Sequence, residues 1–192
     1  MRLFDLGAHF GLFSLAAAQF GGRAVAVDPS PLAAKMIRTQ VRLNRFGDQI
    51  RILQAAVSDS PGQLNMLSAG VFSDGYFRLV SGRSRRELSQ AKATTIDQMS
   101  QEFGVPTHIK VDVEGHEAAV LRGGRTILRI ASPILFLELH SEMISSDGGD
   151  PRAAVDELEM LGYTMFSLRG NPISKSEILE RPLSRIVAKR LS

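Results

Sequence analysis

Apolar and polar positions follow two alternating periods along the chain. Short apolar runs of strand length stand at residues 2–6, 24–27, 50–55, 108–111 and 134–139. Between them, residues 12–20, 31–46, 96–103 and 117–130 carry apolar side chains at helical spacing. Glycines mark the helix ends: Gly21-Gly22, Gly47 and Gly104. Ser30 followed by Pro31 predicts an N-cap and a first helical position. Gly123-Gly124 predicts a bend inside the 117–130 helix. A helix at 151–161, closed by Gly162, leads to two last strands at 163–168 and 185–188, joined by a loop around Asn171-Pro172. Strands alternating with helices predict an α/β fold with a mostly parallel sheet and helices on both faces. The closing strand pair is the natural place for an antiparallel edge.

Residues 58–94 are less regular. Short strands are expected at 63–67, 76–80 and 92–95, and the polar, basic stretch 81–90 is expected to be mobile. The chain has 192 residues, which favours one domain over residues 1–192. No apolar run approaches the ~20 residues of a membrane span. Asp5 interrupts what a signal peptide would need, and there is no cysteine for a disulfide or a thiolate zinc site. A cytoplasmic location follows as the default. The net charge is only +3. Arg78, Arg83, Arg85 and Arg86 form a basic group, but no nucleic-acid-binding motif accompanies it, so nucleic acid is not the expected partner.

The chemistry starts at Asp5-Leu-Gly-Ala-His-Phe-Gly11. A strand, a glycine turn, a helix and a second strand ending in an acid, here Asp28, form an adenosine-binding unit. A dinucleotide fingerprint needs Gly-x-Gly so that the backbone can approach a pyrophosphate. Here His9 stands in the middle, between Gly7 and Gly11. A cofactor without phosphates suits that loop, and S-adenosylmethionine is one. The expected cofactor-binding set is Asp5, Gly7, Ala8, His9, Gly11, Asp28, Gln54 and Ala55. Asp5 would attract the cofactor ammonium, the N–H groups opening the helix would receive its carboxylate, Asp28 would accept the ribose hydroxyls, and Gln54 would meet the adenine.

Other polar residues collect at the carboxyl ends of strands, where open α/β sheets bind ligands. They are Asp112 and Glu114 after the fourth strand, and Glu138 and His140 on and after the fifth. Asp112, His140 and Glu138 are the catalytic candidates, with the His140 imidazole a natural base for a hydroxyl. Glu138 is costly to bury without a partner, and the competing expectation is an ion pair with Lys110 on the neighbouring strand. His9 is expected to shape its loop, and His116 to cap a helix or face solvent. Asp112, Glu114, Glu138 and His140 offer ligands for magnesium or manganese. No tightly held ion is expected, because of the competition from Lys110.

Asp5 through Gly11, Ala56-Val57-Ser58-Asp59-x-x-Gly62, Thr95-Ile96-Asp97, Ile109-Lys110-Val111-Asp112-Val113-Glu114-Gly115-His116-Glu117 and the run from Pro133 to Glu138-Leu139-His140 resemble the FkbM-type methyltransferases. The resemblance extends from residue 2 to about residue 140 and is most specific in the Lys110-to-Glu117 segment. It implies a Rossmann-like class I S-adenosylmethionine-dependent methyltransferase acting on hydroxyl groups of sugars or polyketide-like products. His9 stands where the family usually has Asn, and Asp28 where it usually has Glu. The first strand begins at the second residue, so the expectation is a minimal or trimmed version without the usual N-terminal cap segment.

The reading is therefore a Rossmann-like fold with sheet order 3-2-1-4-5-7-6 and an antiparallel last strand. The expected function is O-methyl transfer to a small-molecule hydroxyl, held in line with the methyl donor. The alternatives are a non-catalytic methyltransferase-like ligand-binding module, a nicotinamide-dependent oxidoreductase, which His9 disfavours, and an RNA methyltransferase. Base N-methylation commonly uses an Asn/Asp-Pro-Pro-aromatic turn; Asp112-Val113-Glu114-Gly115 replaces it here. Acceptor recognition is expected in residues 68–94 and 141–150.

Overall fold

The computed structural model describes residues 1–68, 77–79 and 88–191. In chain order the elements are β1 (Arg2–Leu6), α1 (Leu12–Gln19), β2 (Arg23–Val27), α2 (Pro31–Leu43), β3 (Ile50–Leu53), β4 (Ala56–Val57), β5 (Gly62–Ser68), β6 (Phe77–Leu79), β7 (Leu88–Thr94), α3 (Ile96–Phe103) and β8 (His108–Val111). They continue with α4 (Glu117–Arg122), α5 (Arg125–Ile130), β9 (Ile134–Leu139), α6 (Ser141–Ser146), α7 (Arg152–Met160), β10 (Thr164–Ser167), α8 (Lys175–Leu179) and β11 (Ser184–Lys189). The open α/β sheet predicted by the pattern is present, with neighbours in the order β3-β2-β1-β8-β9-β11-β10. Its strands run parallel except β11, which is antiparallel to both β9 and β10. The short strands expected at 63–67, 76–80 and 92–95 overlap β5, β6 and β7, which join β4 in a second, four-stranded sheet of order β4-β7-β5-β6.

Side-chain alternation divides the core between the two faces. Leu3, Ala24, Ala26 and Ile50 point to one face, where Ala17 and Ala18 of α1 and Ile37 and Val41 of α2 cover them. Phe4, Leu6, Val25, Val27, Ile109, Val111, Leu135, Leu137 and Leu139 point to the other, under α3, α4, α5 and α7. The alternate positions Ile134, Phe136 and Glu138 of β9 are only part-buried. No helix among the described residues is long and apolar enough to cross a membrane.

Local signals explain most boundaries. The Ser30 hydroxyl accepts the Ala33 N–H at 3.2 Å and Pro31 opens α2. Thr95 caps α3 through the Gln98 N–H at 3.1 Å. The bend expected inside residues 117–130 is a break into two helices, α4 and α5. The carboxylate of Asp97 satisfies the N–H groups of Thr126 and Ile127, at 3.2 and 3.0 Å, and so caps α5 from a neighbouring element. Gly123 permits the contact that sets the break: a Cβ there would stand 2.0 Å from the Ser58 carbonyl oxygen.

Three segments differ from expectation. The third strand ends at Leu53, two residues early, because Ala55 turns its N–H back to the Leu53 carbonyl. α6 forms within 141–150, a stretch for which no element was predicted. α8 forms in the loop before β11, with Ser174 and Glu177 as a capping box. The 81–90 stretch lies outside the described residues up to position 87, as do Arg83, Arg85 and Arg86; the side chain of Arg78 is also outside them. Gly123→Ala should therefore lower stability by roughly 1–3 kcal/mol, the cost of overpacking. Gly47→Ala, where an added Cβ meets nothing within 4 Å, should stay within about 0.5 kcal/mol of the wild type. Urea midpoints check both; equal midpoints would mean that the Gly123 contact sets nothing.

Candidate active site

The site lies where β1, β2, β8 and β9 end. β1 runs into a turn at Gly7, whose φ is 75°. A Cβ there would stand 1.8 Å from the Asp112 carbonyl oxygen, so glycine lets the turn lie against the end of β8. The Gly7 and Ala8 N–H groups both donate to the Val27 carbonyl, at 2.9 and 3.0 Å, tying the turn to β2. His9 also has a positive φ, 49°, and donates its backbone N–H to Asp28 Oδ2 at 2.9 Å. The Ser30 N–H donates to Asp28 Oδ1 at 2.9 Å. Burial pushes the Asp28 carboxyl above its ordinary value, and these two N–H groups oppose the push.

A cavity of about 350 Å³ opens between these elements. The β1–β3 side contributes Gly7, His9, Asp28, Ala55, Ala56 and Met66; the β8–β9 side contributes Asp112, Glu114, Glu138 and His140. Four of the eight expected cofactor residues thus line the cavity: Gly7, His9, Asp28 and Ala55. Ala8 is buried beneath the turn, and Gly11 packs against Ile37. Asp5 requires a correction. It is fully buried, and its Oδ2 accepts both the N–H and the hydroxyl of Ser14, at 3.0 and 2.7 Å. It anchors α1 from below and does not reach the cavity wall. Gln54 is exposed and outside the wall, because β3 ends before it.

The catalytic candidates Asp112, Glu138 and His140 are brought together. The expected Lys110–Glu138 pair is absent. Lys110 stands opposite Asp5 on β1 and Phe136 on β9, one pleat short of Glu138. Its ammonium donates to the Gly7 carbonyl at 2.9 Å, pairs with Asp112 Oδ2 at 3.1 Å and lies 3.8 Å from Asp5 Oδ1. Glu138 instead pairs with Arg185, its register partner on β11, at 3.0 Å.

His140 is held by a residue that the candidate list lacks. Its Nδ1 lies 2.7 Å from Oε1 of Glu117, which is fully buried at the start of α4. Burial by itself lowers the His140 imidazole; the Glu117 hydrogen bond and the charges of Glu117, Asp112 and Glu114 outweigh it, and the net shift is upward. Glu114, in a positive-φ conformation at 52°, lines the cavity without a hydrogen-bond or ion-pair partner among the described residues. Burial, reinforced by the nearby carboxylates and opposed by His140, pushes its carboxyl up to about 7. His116 takes the N-cap position of α4, as expected, but its side chain makes no cap bond: its Nε2 is 2.9 Å from the Ser58 hydroxyl. Glu117 and Glu114 were visible in the Lys110-to-Glu117 segment. An acid in a first helical turn reads as a response to the helix dipole, and nothing in the sequence links Glu117 to a histidine 23 residues away.

The methyltransferase FkbM domain matches residues 5–165. The chain belongs to that family. A ribosomal protein L11 methyltransferase of Desulfitobacterium hafniense is 31% identical over 86 residues, which are 44% of this chain and 28% of that protein. The crystal structure of methyltransferase FkbM from Methylobacillus flagellatus superposes with a TM-score of 0.63 at 16% identity, over 98% of this chain and 43% of that one. The O-methyltransferase from Bacillus cereus, in complex with S-adenosylhomocysteine, gives 0.54 at 12% identity, over 99% of this chain and 74% of that one. The match thus covers less than half the length of each of the first two proteins. The segment of FkbM resemblance at residues 109–117 carries the acid at the end of β8, the lysine that grips the β1 turn and the glutamate behind His140.

Lys110→Met should be severely destabilising, by about 3–5 kcal/mol, because it strips a buried carboxylate of its counter-charge. Burial already raises the Asp5 carboxyl, with Lys110 and Ser14 opposing it and the Asp112 charge adding to it; the substitution raises it further. An acid whose folded-state pKa is raised contributes stability below its unfolded pKa and loses it as pH rises through the folded value. The deficit should accordingly be larger at pH 8 than at pH 5 in urea titrations. A deficit independent of pH would show that Lys110 matters for packing alone.

Proposed function

We propose that the chain is an S-adenosylmethionine-dependent methyltransferase that acts on a hydroxyl group of a small molecule, in the cytoplasm, as one catalytic domain. The single observation carrying this reading is the cavity itself. It joins an adenosine-type wall, made by the Gly7 turn and Asp28, to an acid–histidine wall, made by Asp112, Glu138 and His140. The residues present fit the cofactor: Gly7, His9 and Asp28 line the cavity, and two backbone N–H groups fix the Asp28 carboxylate at the tip of β2. His9 at the loop tip occupies the place where a dinucleotide fold needs glycine.

Bound S-adenosylmethionine supplies an electrophilic methyl group on a sulfonium. Asp28 accepts hydrogen bonds from the ribose hydroxyls, while Ala55, Ala56 and Met66 offer an apolar wall to the base. Asp112 and His140 orient the acceptor hydroxyl and take its proton, and Glu138 stands beside them as a further acceptor. Positioning of the two reactants in line supplies much of the rate. The membership of the FkbM family supports methyl transfer; the choice of a hydroxyl rests on the carboxylate and imidazole acceptors of the β8–β9 side.

Three outcomes follow. S-adenosylhomocysteine should raise the melting temperature in proportion to RT ln(1 + [L]/Kd). A shift with a nicotinamide dinucleotide and none with S-adenosylhomocysteine would replace this reading with an oxidoreductase. Asp28→Ala should weaken S-adenosylhomocysteine binding by roughly 1.5–3 kcal/mol, as for hydrogen bonds to a charged group; unchanged binding in calorimetry would leave Asp28 as a loop anchor only. With the true acceptor, His140→Ala should lower turnover by roughly 10²–10⁴-fold at nearly unchanged cofactor affinity. Wild-type turnover in that variant would remove the histidine from the mechanism.

A further inference from the structure

Asp112, Glu138 and His140 each present one ligand atom, and the three atoms lie within 4.8 Å of one another. The partners of these side chains show which atoms remain open. Asp112 gives Oδ2 to Lys110. Glu138 gives Oε2 to Arg185. His140 gives Nδ1 to Glu117. That leaves Asp112 Oδ1, Glu138 Oε1 and His140 Nε2 free of those three partners. Nε2 stands 3.7 Å from Asp112 Oδ1, beyond hydrogen-bond distance. A neutral imidazole that donates from Nδ1 to Glu117 carries its lone pair on Nε2, the nitrogen nearer Asp112 Oδ1.

An independent observation lies behind the histidine. Glu117 is fully buried, and no lysine or arginine among the described residues pairs with it. Its Oε1 receives the His140 ring and the Gly115 N–H, and its Oε2 has no hydrogen-bond partner. A buried carboxylate with no cation of its own is costly. The route by which positive charge can answer it runs through the imidazole. A carboxylate behind one ring nitrogen is also what fixes the tautomer and direction of a metal-ligating histidine. A proton on His140 would answer Glu117 and Asp112, whereas a divalent ion held there would answer the nearby Glu138 carboxylate as well.

We propose that Asp112, Glu138 and His140 form a divalent-cation site, oriented through Glu117 and suited to magnesium or manganese. Two carboxylates and one imidazole match those ions in ligand hardness, and three protein ligands leave coordination positions open to the cavity. Lys110 and Arg185 offset part of the carboxylate charge, so the ion exchanges and is removed by chelator. The expectation that Lys110 would disable Glu138 does not apply, since Lys110 faces the Gly7 turn. The role of the ion rests on the methyl-transfer reading: an acceptor hydroxyl bound in an open position becomes more acidic and is held beside the cofactor. With the ion held, Asp112 and His140 serve as its ligands in place of taking the proton directly: the proton passes to water, the oxygen bonds the methyl carbon, and the carbon–sulfur bond breaks with its electron pair on sulfur.

The test is a titration of chelator-treated protein with Mn²⁺ at pH 8, followed by electron paramagnetic resonance, with and without S-adenosylhomocysteine. One bound Mn²⁺ per chain, displaced by excess Mg²⁺, is expected. Glu138→Gln and Asp112→Asn should each weaken it at least about tenfold, and Glu117→Gln about 10–100-fold, the scale for a residue that orients a ligand. Glu138→Gln should retain the wild-type affinity for S-adenosylhomocysteine, which shows that the cavity is intact. No Mn²⁺ binding, or Mn²⁺ binding unchanged in both Glu138→Gln and Asp112→Asn, overturns the proposal. Failure of the methyl-transfer reading is seen separately, as loss of S-adenosylhomocysteine binding by the wild type, while the arm without that ligand still reports on the ion.

Discussion

The ammonium of Lys110 is the contact on which the rest of the site depends. It is almost fully buried, and three oxygens surround it: the Gly7 carbonyl, Asp112 Oδ2 and Asp5 Oδ1. Each belongs to a different part of the machinery. Gly7 is the turn that opens the cavity, Asp112 is the acid at the end of β8, and Asp5 anchors the first turn of α1 through Ser14. One buried charge therefore fixes the spacing between the adenosine-type wall and the acid–histidine wall. A buried cation is tolerable here because two carboxylates and a carbonyl replace its water.

The same charge accounting runs through the cavity. Asp28 is stabilised by backbone N–H groups, Asp112 by Lys110, and Glu138 by Arg185. Glu114 has no such partner, and Glu117 is answered only through His140 and the Gly115 N–H. The acids with the least compensation are thus the two that follow β8. That imbalance suits the cation and the hydroxyl proton proposed for the site. It is set by the sheet: the register that puts Asp5 opposite Lys110 and Lys110 opposite Phe136 places Asp112 and Glu138 at the same edge.

Much of this was legible in the sequence because the signals were local. The Gly7 turn, the Ser30–Pro31 helix start and the alternation of Leu135, Leu137 and Leu139 each depend on neighbours a few residues apart. What escaped was long-range or depended on register. The Lys110–Glu138 pair failed because adjacent strands do not announce which residues stand opposite each other. Asp5 looked like a ligand-facing acid, but its parity on β1 turns it under α1. Gln54 looked like part of a strand that in fact ends at Leu53. Glu117 resembled an ordinary first-turn acid until the fold brought His140 to it.

The most direct measurement is a crystal structure of the chain with S-adenosylhomocysteine. The account predicts ribose hydroxyls on Asp28, the adenine beside Ala55 and Ala56, and the sulfur over the Gly7 turn, facing an unobstructed Asp112–His140 edge. Ligand bound elsewhere on the chain, or an edge closed off from the sulfur by the protein, would contradict it.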